Sequence, residues 1–90
     1  MNNVVERLNR VMSYSEIQVA KEVIKELGED VEKSIINSKL ADSVGVTKSV
    51  LVNAIKILEA AGVLETRSMG MKGTYVKVLD QDTLRAVAKF

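Results

Sequence analysis

The sequence predicts a mainly α domain with a small β-hairpin, in a winged helix-turn-helix arrangement. Three observations carry that expectation. Apolar residues recur at helical spacing in several capped segments, a glycine stands at the break between two of them, and two β-rich runs flank a five-residue loop holding two glycines. A chain of 90 residues with 47% hydrophobic content suffices for one core and no second module. Residues 1–90 are therefore read as one domain: 1–12 as linker or first helix, 37–61 as the helix-turn-helix, 63–79 as the wing hairpin and 80–90 as a final helix.

The elements follow in order. Val4, Val5, Leu8, Val11 and Met12 form one stripe of a helix that stops near Ser13-Tyr14-Ser15. That stripe either packs on the domain's own core or forms the seam of a homodimer. Ser15 followed by Gln18 matches a capping box, and the helix behind it is expected to bury Ile17, Ala20, Ile24 and Leu27 and to end at Gly28. Glu29-Asp30-Val31-Glu32-Lys33 reads as an exposed loop or a helical turn. A short helix with Leu40, Ala41 and Val44 follows, capped by Asn37 or Ser38 and broken at Gly45. Thr47 caps a longer helix whose stripe is Leu51, Ala54, Ile55 and Leu58, ending at Gly62. Residues 63–68 and 74–79 read as strands around Met69-Gly70-Met71-Lys72-Gly73, and Asp80 or Asp82 caps the last helix.

Absences bound the chemistry. The chain has no His and no Cys, which removes thiol nucleophiles, zinc sites and Ser-His triads, and no carboxylate pair has acid/base spacing. No enzyme activity is expected. An oxygen-ligand metal site at Glu29, Asp30 and Glu32 lacks the EF-hand spacing, and the three read as a solvated acidic loop. No apolar run reaches the ~18 residues of a membrane span, so a cytoplasmic protein without membrane contact is expected.

Charge is unevenly spread. The net charge is +1, yet residues 1–32 sum to −3 and residues 33–79 to +4. A basic module on an acidic support is the footprint expected of a face that meets phosphates. Within that module Ala41-x3-Gly45-x5-Leu51 has helix-turn-helix spacing: Ala41 is small where the helices cross, Gly45 suits a turn with positive φ, and Leu51 anchors the second helix. The outward face of that second helix is then Thr47, Lys48, Ser49, Asn53 and Lys56, with no carboxylate, and Ser38 and Lys39 stand at the start of the first. A recognition helix reads bases with its N-terminal residues. In the hairpin, Arg67, Ser68, Lys72 and Thr74 can meet the backbone, while Met69 and Met71 either contact a partner or fold back on the core. These residues make double-stranded DNA the expected partner. The alternative is a winged helix used for docking another protein.

The runs 37–54 and 58–79, including Thr66-Arg67-Ser68-Met69-Gly70-Met71-Lys72-Gly73-Thr74-Tyr75, resemble the helix-turn-helix and wing of the CodY family, and Ser13-Tyr14-Ser15-Glu16 resembles the start of its DNA-binding domain. The resemblance covers about residues 11–80. It implies a global transcriptional repressor of low-G+C Gram-positive bacteria that senses GTP and branched-chain amino acids, acts as a dimer and binds operator DNA through a C-terminal winged helix. On that basis the chain corresponds to the DNA-binding part, either an excised domain or a shortened relative. It has no cofactor of its own, since the effectors act through a sensor region that the chain lacks. The family often has Arg near Ser43 and Lys48 and a second basic residue where Ile57 stands, so this chain is less basic along its recognition helix than the resemblance implies.

Overall fold

The computed structural model describes residues 3–70 and 73–89. The elements are α1 (Asn3–Val11), α2 (Tyr14–Leu27), β1 (Glu32–Ile35), α3 (Asn37–Val44), α4 (Lys48–Ala60), β2 (Leu64–Ser68), β3 (Thr74–Val78) and α5 (Gln81–Ala88). The strands form one antiparallel sheet in the order β1-β3-β2. Helix α2 is the hub, packed against α3, α4, α5 and β1, while α1 lies on α5. Met71 and Lys72, at the centre of the expected wing loop, lie outside the described residues.

The apolar stripes become the core. Leu51, Ala54 and Leu58 of α4 are fully enclosed, with Val19, Ala20 and Val23 of α2 and Val76 of β3. Truncating a Leu at such a site costs about 2–5 kcal/mol. Along α1 and just past it the stripe divides: Leu8 and, after the helix end, Met12 are buried and Val5 is half-buried, whereas Val4 and Val11 face outward. Ile24 of α2 and Val44 of α3 are half-buried at the edge of the same core.

Three sequence expectations change. Helix α2 is capped by Ser13, not Ser15: the Ser13 hydroxyl accepts from the Glu16 N–H and the Glu16 carboxylate accepts from the Ser13 N–H. Two capping-box patterns overlap here, and the one ending in a carboxylate forms the charge-assisted bond. Residues 32–35 form a strand rather than a loop. Its exposed Glu32, Lys33 and Ser34 show no apolar alternation, so only the free edge of β3 explains it. Neither Asn37 nor Ser38 caps α3, because the N-cap residue is Ile36, directly after β1, and Asn37 and Ser38 are already helical. Elsewhere the expected caps are present: Thr47 accepts from the Val50 N–H and Asp80 from the Thr83 N–H.

Two glycines set the geometry around α4. Gly45 adopts φ 84° and ψ 33°, the left-handed region, and its N–H reaches the Ala41 carbonyl at 2.8 Å, which closes α3 and turns the chain into Thr47. Gly73, at φ +103°, starts β3 so close to β1 that a Cβ would stand 2.2 Å from the Ile35 oxygen. Gly73 thus serves close packing as well as the turn of the loop. The neighbour it approaches is β1 of its own sheet.

Candidate nucleic-acid interface

The helical period that buries Leu51, Ala54, Ile55 and Leu58 leaves Lys48, Ser49, Val52, Asn53 and Lys56 on the opposite side of α4. These five line one open groove of about 390 Å³. Thr47 is exposed at its N-terminal end, and the first turn holds no acidic residue. The free N–H groups of that turn and the helix dipole therefore add to the positive charge of Lys48. Lys48 and Lys56 are in no ion pair among the described residues, where the one pair is Lys33 with Glu26 at 3.7 Å.

A second recess of about 240 Å³ adjoins the first, lined by Asn37, Val52, Ile55, Lys56, Glu59, Thr66, Ser68 and Thr74. Val52 and Lys56 belong to both, so the α4 face runs without interruption to the base of the wing. Glu59 fixes that junction: one carboxylate oxygen accepts from the Thr66 N–H at 3.3 Å and from the Thr66 hydroxyl at 3.0 Å. Ser68 and Thr74 are register partners across β2 and β3 and look toward α4.

The remaining site residues sit elsewhere. Strand alternation turns Arg67 to the outer sheet face, in a recess with Glu65, Met69, Tyr75 and Lys77. Met69 leans on β1, where the Ser34 hydroxyl donates to its sulfur at 3.3 Å. Tyr75 donates to the Glu32 carboxylate across the same face, and this bond, with burial and the nearby carboxylates behind it, raises the phenol above its ordinary value. Lys39 lines a separate recess with Glu26, Ser34 and Leu40. Ser38 is exposed on the first turn of α3. Lys72 is outside the described residues.

Sequence reasoning missed Val52, Thr66, Asn37 and Glu16. Val52 fills an outward slot of the α4 wheel, which the helical period alone could have flagged. Asn37 lines the recess with its Oδ1 buried and without a partner among the described residues. Glu16 comes from α2, yet its Oε2 accepts a hydrogen bond from the Asn53 amide. The face expected to be free of carboxylates thus has one beneath it. Burial would raise the Glu16 pKa, but the Ser13 N–H, the Asn53 amide and the Ser13 hydroxyl together outweigh it and hold the carboxyl below its ordinary value.

Among the described residues no group of three or more His, Cys, Asp or Glu could hold a metal ion, and no helix is long and apolar enough to cross a membrane. Residues 31–90 match the family described as the CodY helix-turn-helix domain. The global transcriptional regulator CodY of Bacillus mycoides is 50% identical over 78 residues, covering 87% of this chain and 30% of that protein. The global transcriptional regulator CodY of Lysinibacillus sphaericus is 48% identical over 86 residues, covering 96% of this chain and 33% of its own length. The chain thus spans about a third of the length of these curated relatives.

Proposed function

The chain belongs to the CodY helix-turn-helix family, and on that premise we propose that it is a DNA-binding domain of transcription regulation, reading double-stranded operator DNA as a repressor does. Helix α4 enters the major groove with Lys48, Ser49, Val52 and Asn53 toward base edges and backbone, and Lys56 and the wing follow the flanking phosphates. The observation that carries this is the continuity of the α4 face with the wing base through Val52 and Lys56, with both lysines of the face unpaired among the described residues. The protein works on cytoplasmic DNA and performs no catalytic step.

The wing carries no phosphate-cradling motif for a nucleoside triphosphate. The wing glycines lead into a strand, so no helix N-terminus follows them to receive phosphates. GTP and branched-chain amino acids, as effectors of the family, would act through a region other than this domain. Two half-sites are the expected operator form if two copies bind together.

The test is selection of duplexes from a randomised library, followed by mobility-shift titration at low salt against the selected duplex and a scrambled one. Preference for the selected duplex by 10³-fold or more is the expected order for specific recognition. Equal affinity for both would leave only a basic surface.

A further inference from the structure

Asn53 reaches outward from the second turn of α4, and its amide nitrogen is held from behind by the Oε2 of Glu16 on α2. Glu16 is itself fixed. It is 7% exposed, its Oε1 accepts from the Ser13 N–H at 2.8 Å, and its own N–H donates to the Ser13 hydroxyl at 3.2 Å. An ionised carboxylate only accepts hydrogen bonds, so it tolerates the amide nitrogen of Asn53 and repels the amide oxygen. One of the two amide orientations is thereby excluded before any ligand arrives.

The consequence concerns which base Asn53 can read. One of its two N–H donors is spent on Glu16, leaving one N–H and the carbonyl oxygen. A donor beside an acceptor matches adenine, whose N7 accepts and whose N6 donates in the major groove. The arrangement that would serve guanine, both N–H groups on two acceptors, is closed. We propose that Glu16 is a positioning residue that fixes the Asn53 amide for bidentate recognition of adenine, so that specificity at one base pair is set by a residue outside the recognition helix. Its place is prepared by the capping box of α2: the same side chain that starts that helix aims the reading residue of another. The inference rests on the reading of α4 as a base-reading helix.

The test compares motifs selected from a randomised duplex library by the wild-type chain, Glu16→Gln, Asn53→Ala and the double variant. Gln at this position still closes a capping box with its oxygen, which leaves its amide nitrogen toward Asn53, so the Asn53 oxygen is admitted there and the orientation that suits adenine is no longer enforced. Asn53→Ala is expected to relax one adenine position of each half-site from at least about tenfold preference to about twofold, in line with a bidentate contact. Glu16→Gln is expected to relax that position and no other, and the double variant to add nothing further. Affinity for scrambled duplex at low salt should stay within about twofold in Glu16→Gln, because no phosphate contact is lost.

Loss of preference at every position in Glu16→Gln would mean a general structural role and overturn the proposal. So would an unchanged adenine preference in Glu16→Gln where Asn53→Ala removes it. If Glu16→Gln melts far below wild type, Glu16→Asp replaces it: the charge and the Ser13 hydroxyl bond to the backbone N–H of residue 16 remain, the reach to Asn53 does not, and the same single-position loss is expected. A wild-type chain that enriches no motif would overturn the reading of α4 itself, and with it this proposal. An enriched motif without adenine dependence on Asn53 overturns this proposal alone.

Discussion

Single residues test the turn and the face independently. Gly45 needs its left-handed backbone, and among the described residues beyond its chain neighbours nothing stands within 4 Å of where its Cβ would lie, so a side chain there suffers from φ alone. Gly45→Val should therefore cost about 1–3 kcal/mol in urea unfolding, the order of a strained φ for a β-branched residue. A variant that melts like wild type would remove the turn from the account. Ser49 makes the complementary case. Glu at this exposed place in the first turn meets the positive end of the helix dipole, a gain of about 0.3–1 kcal/mol. The same charge would face DNA phosphates beside Lys48. Ser49→Glu should keep or raise the melting temperature while weakening binding to the selected duplex about tenfold or more, and Ser49→Ala should lose far less. Stability and affinity moving apart is an outcome that general damage cannot produce. Binding of Ser49→Glu within about twofold of wild type would show that this helix does not read the groove by its N-terminus.

Among the elements, the link between α4 and the wing is the one that function depends on. Thr66→Val deletes the hydroxyl bond to Glu59 and keeps the backbone one, so unfolding free energy should fall by about 0.5–1 kcal/mol, at the low end for a hydrogen bond because this one is exposed. Amide exchange in β2 and β3 should quicken more than exchange in α2. Unchanged exchange in the wing strands would mean that Glu59 does not hold them. This is also the level at which sequence and structure part company. Leu51, Ala54, Ile55 and Leu58 announce α4 because four apolar residues repeat at its period, and Thr47 and Gly45 mark its start because their chemistry is local. Strand β1 was illegible, since three of its four residues are exposed and it exists through pairing with β3, some 40 residues away. The Ser13 cap was legible but ambiguous, since Ser13-x-x-Glu16 and Ser15-x-x-Gln18 are overlapping local patterns and only the structure shows that the carboxylate one forms. Arg67 and Ser68 could be recognised as polar wing residues, but only the register puts Ser68 toward α4 and Arg67 away from it.

For the whole molecule, charge acts on stability and on binding in separable ways. The folded Glu16 carboxyl lies below its ordinary value, once its hydrogen bonds have outweighed burial, and Asp80 is lowered first by the Thr83 hydroxyl and next by the Thr83 N–H. For such groups the unfolded chain binds protons more readily than the folded one. Their contribution is fully present above the unfolded carboxylate values of about 4 and is lost as pH falls through the lower folded values. Melting temperature should accordingly drop on acidification across that window, and Glu16→Gln should make the drop shallower. An identical acid profile in that variant would exclude Glu16 as a source. The basic face, by contrast, should show itself through salt rather than pH. Lys48 and Lys56 are two cations on the proposed contact surface with no ion pair among the described residues, and each phosphate neutralised steepens the fall of log K with log salt by about 0.9. The most direct measurement is fluorescence anisotropy of a labelled selected duplex, titrated with wild-type chain and with the Lys48→Ala/Lys56→Ala variant over a series of salt concentrations. The predicted result is specific binding whose salt slope becomes shallower by about 2 in the double variant. A slope that stays the same after both lysines are removed would contradict DNA binding through α4.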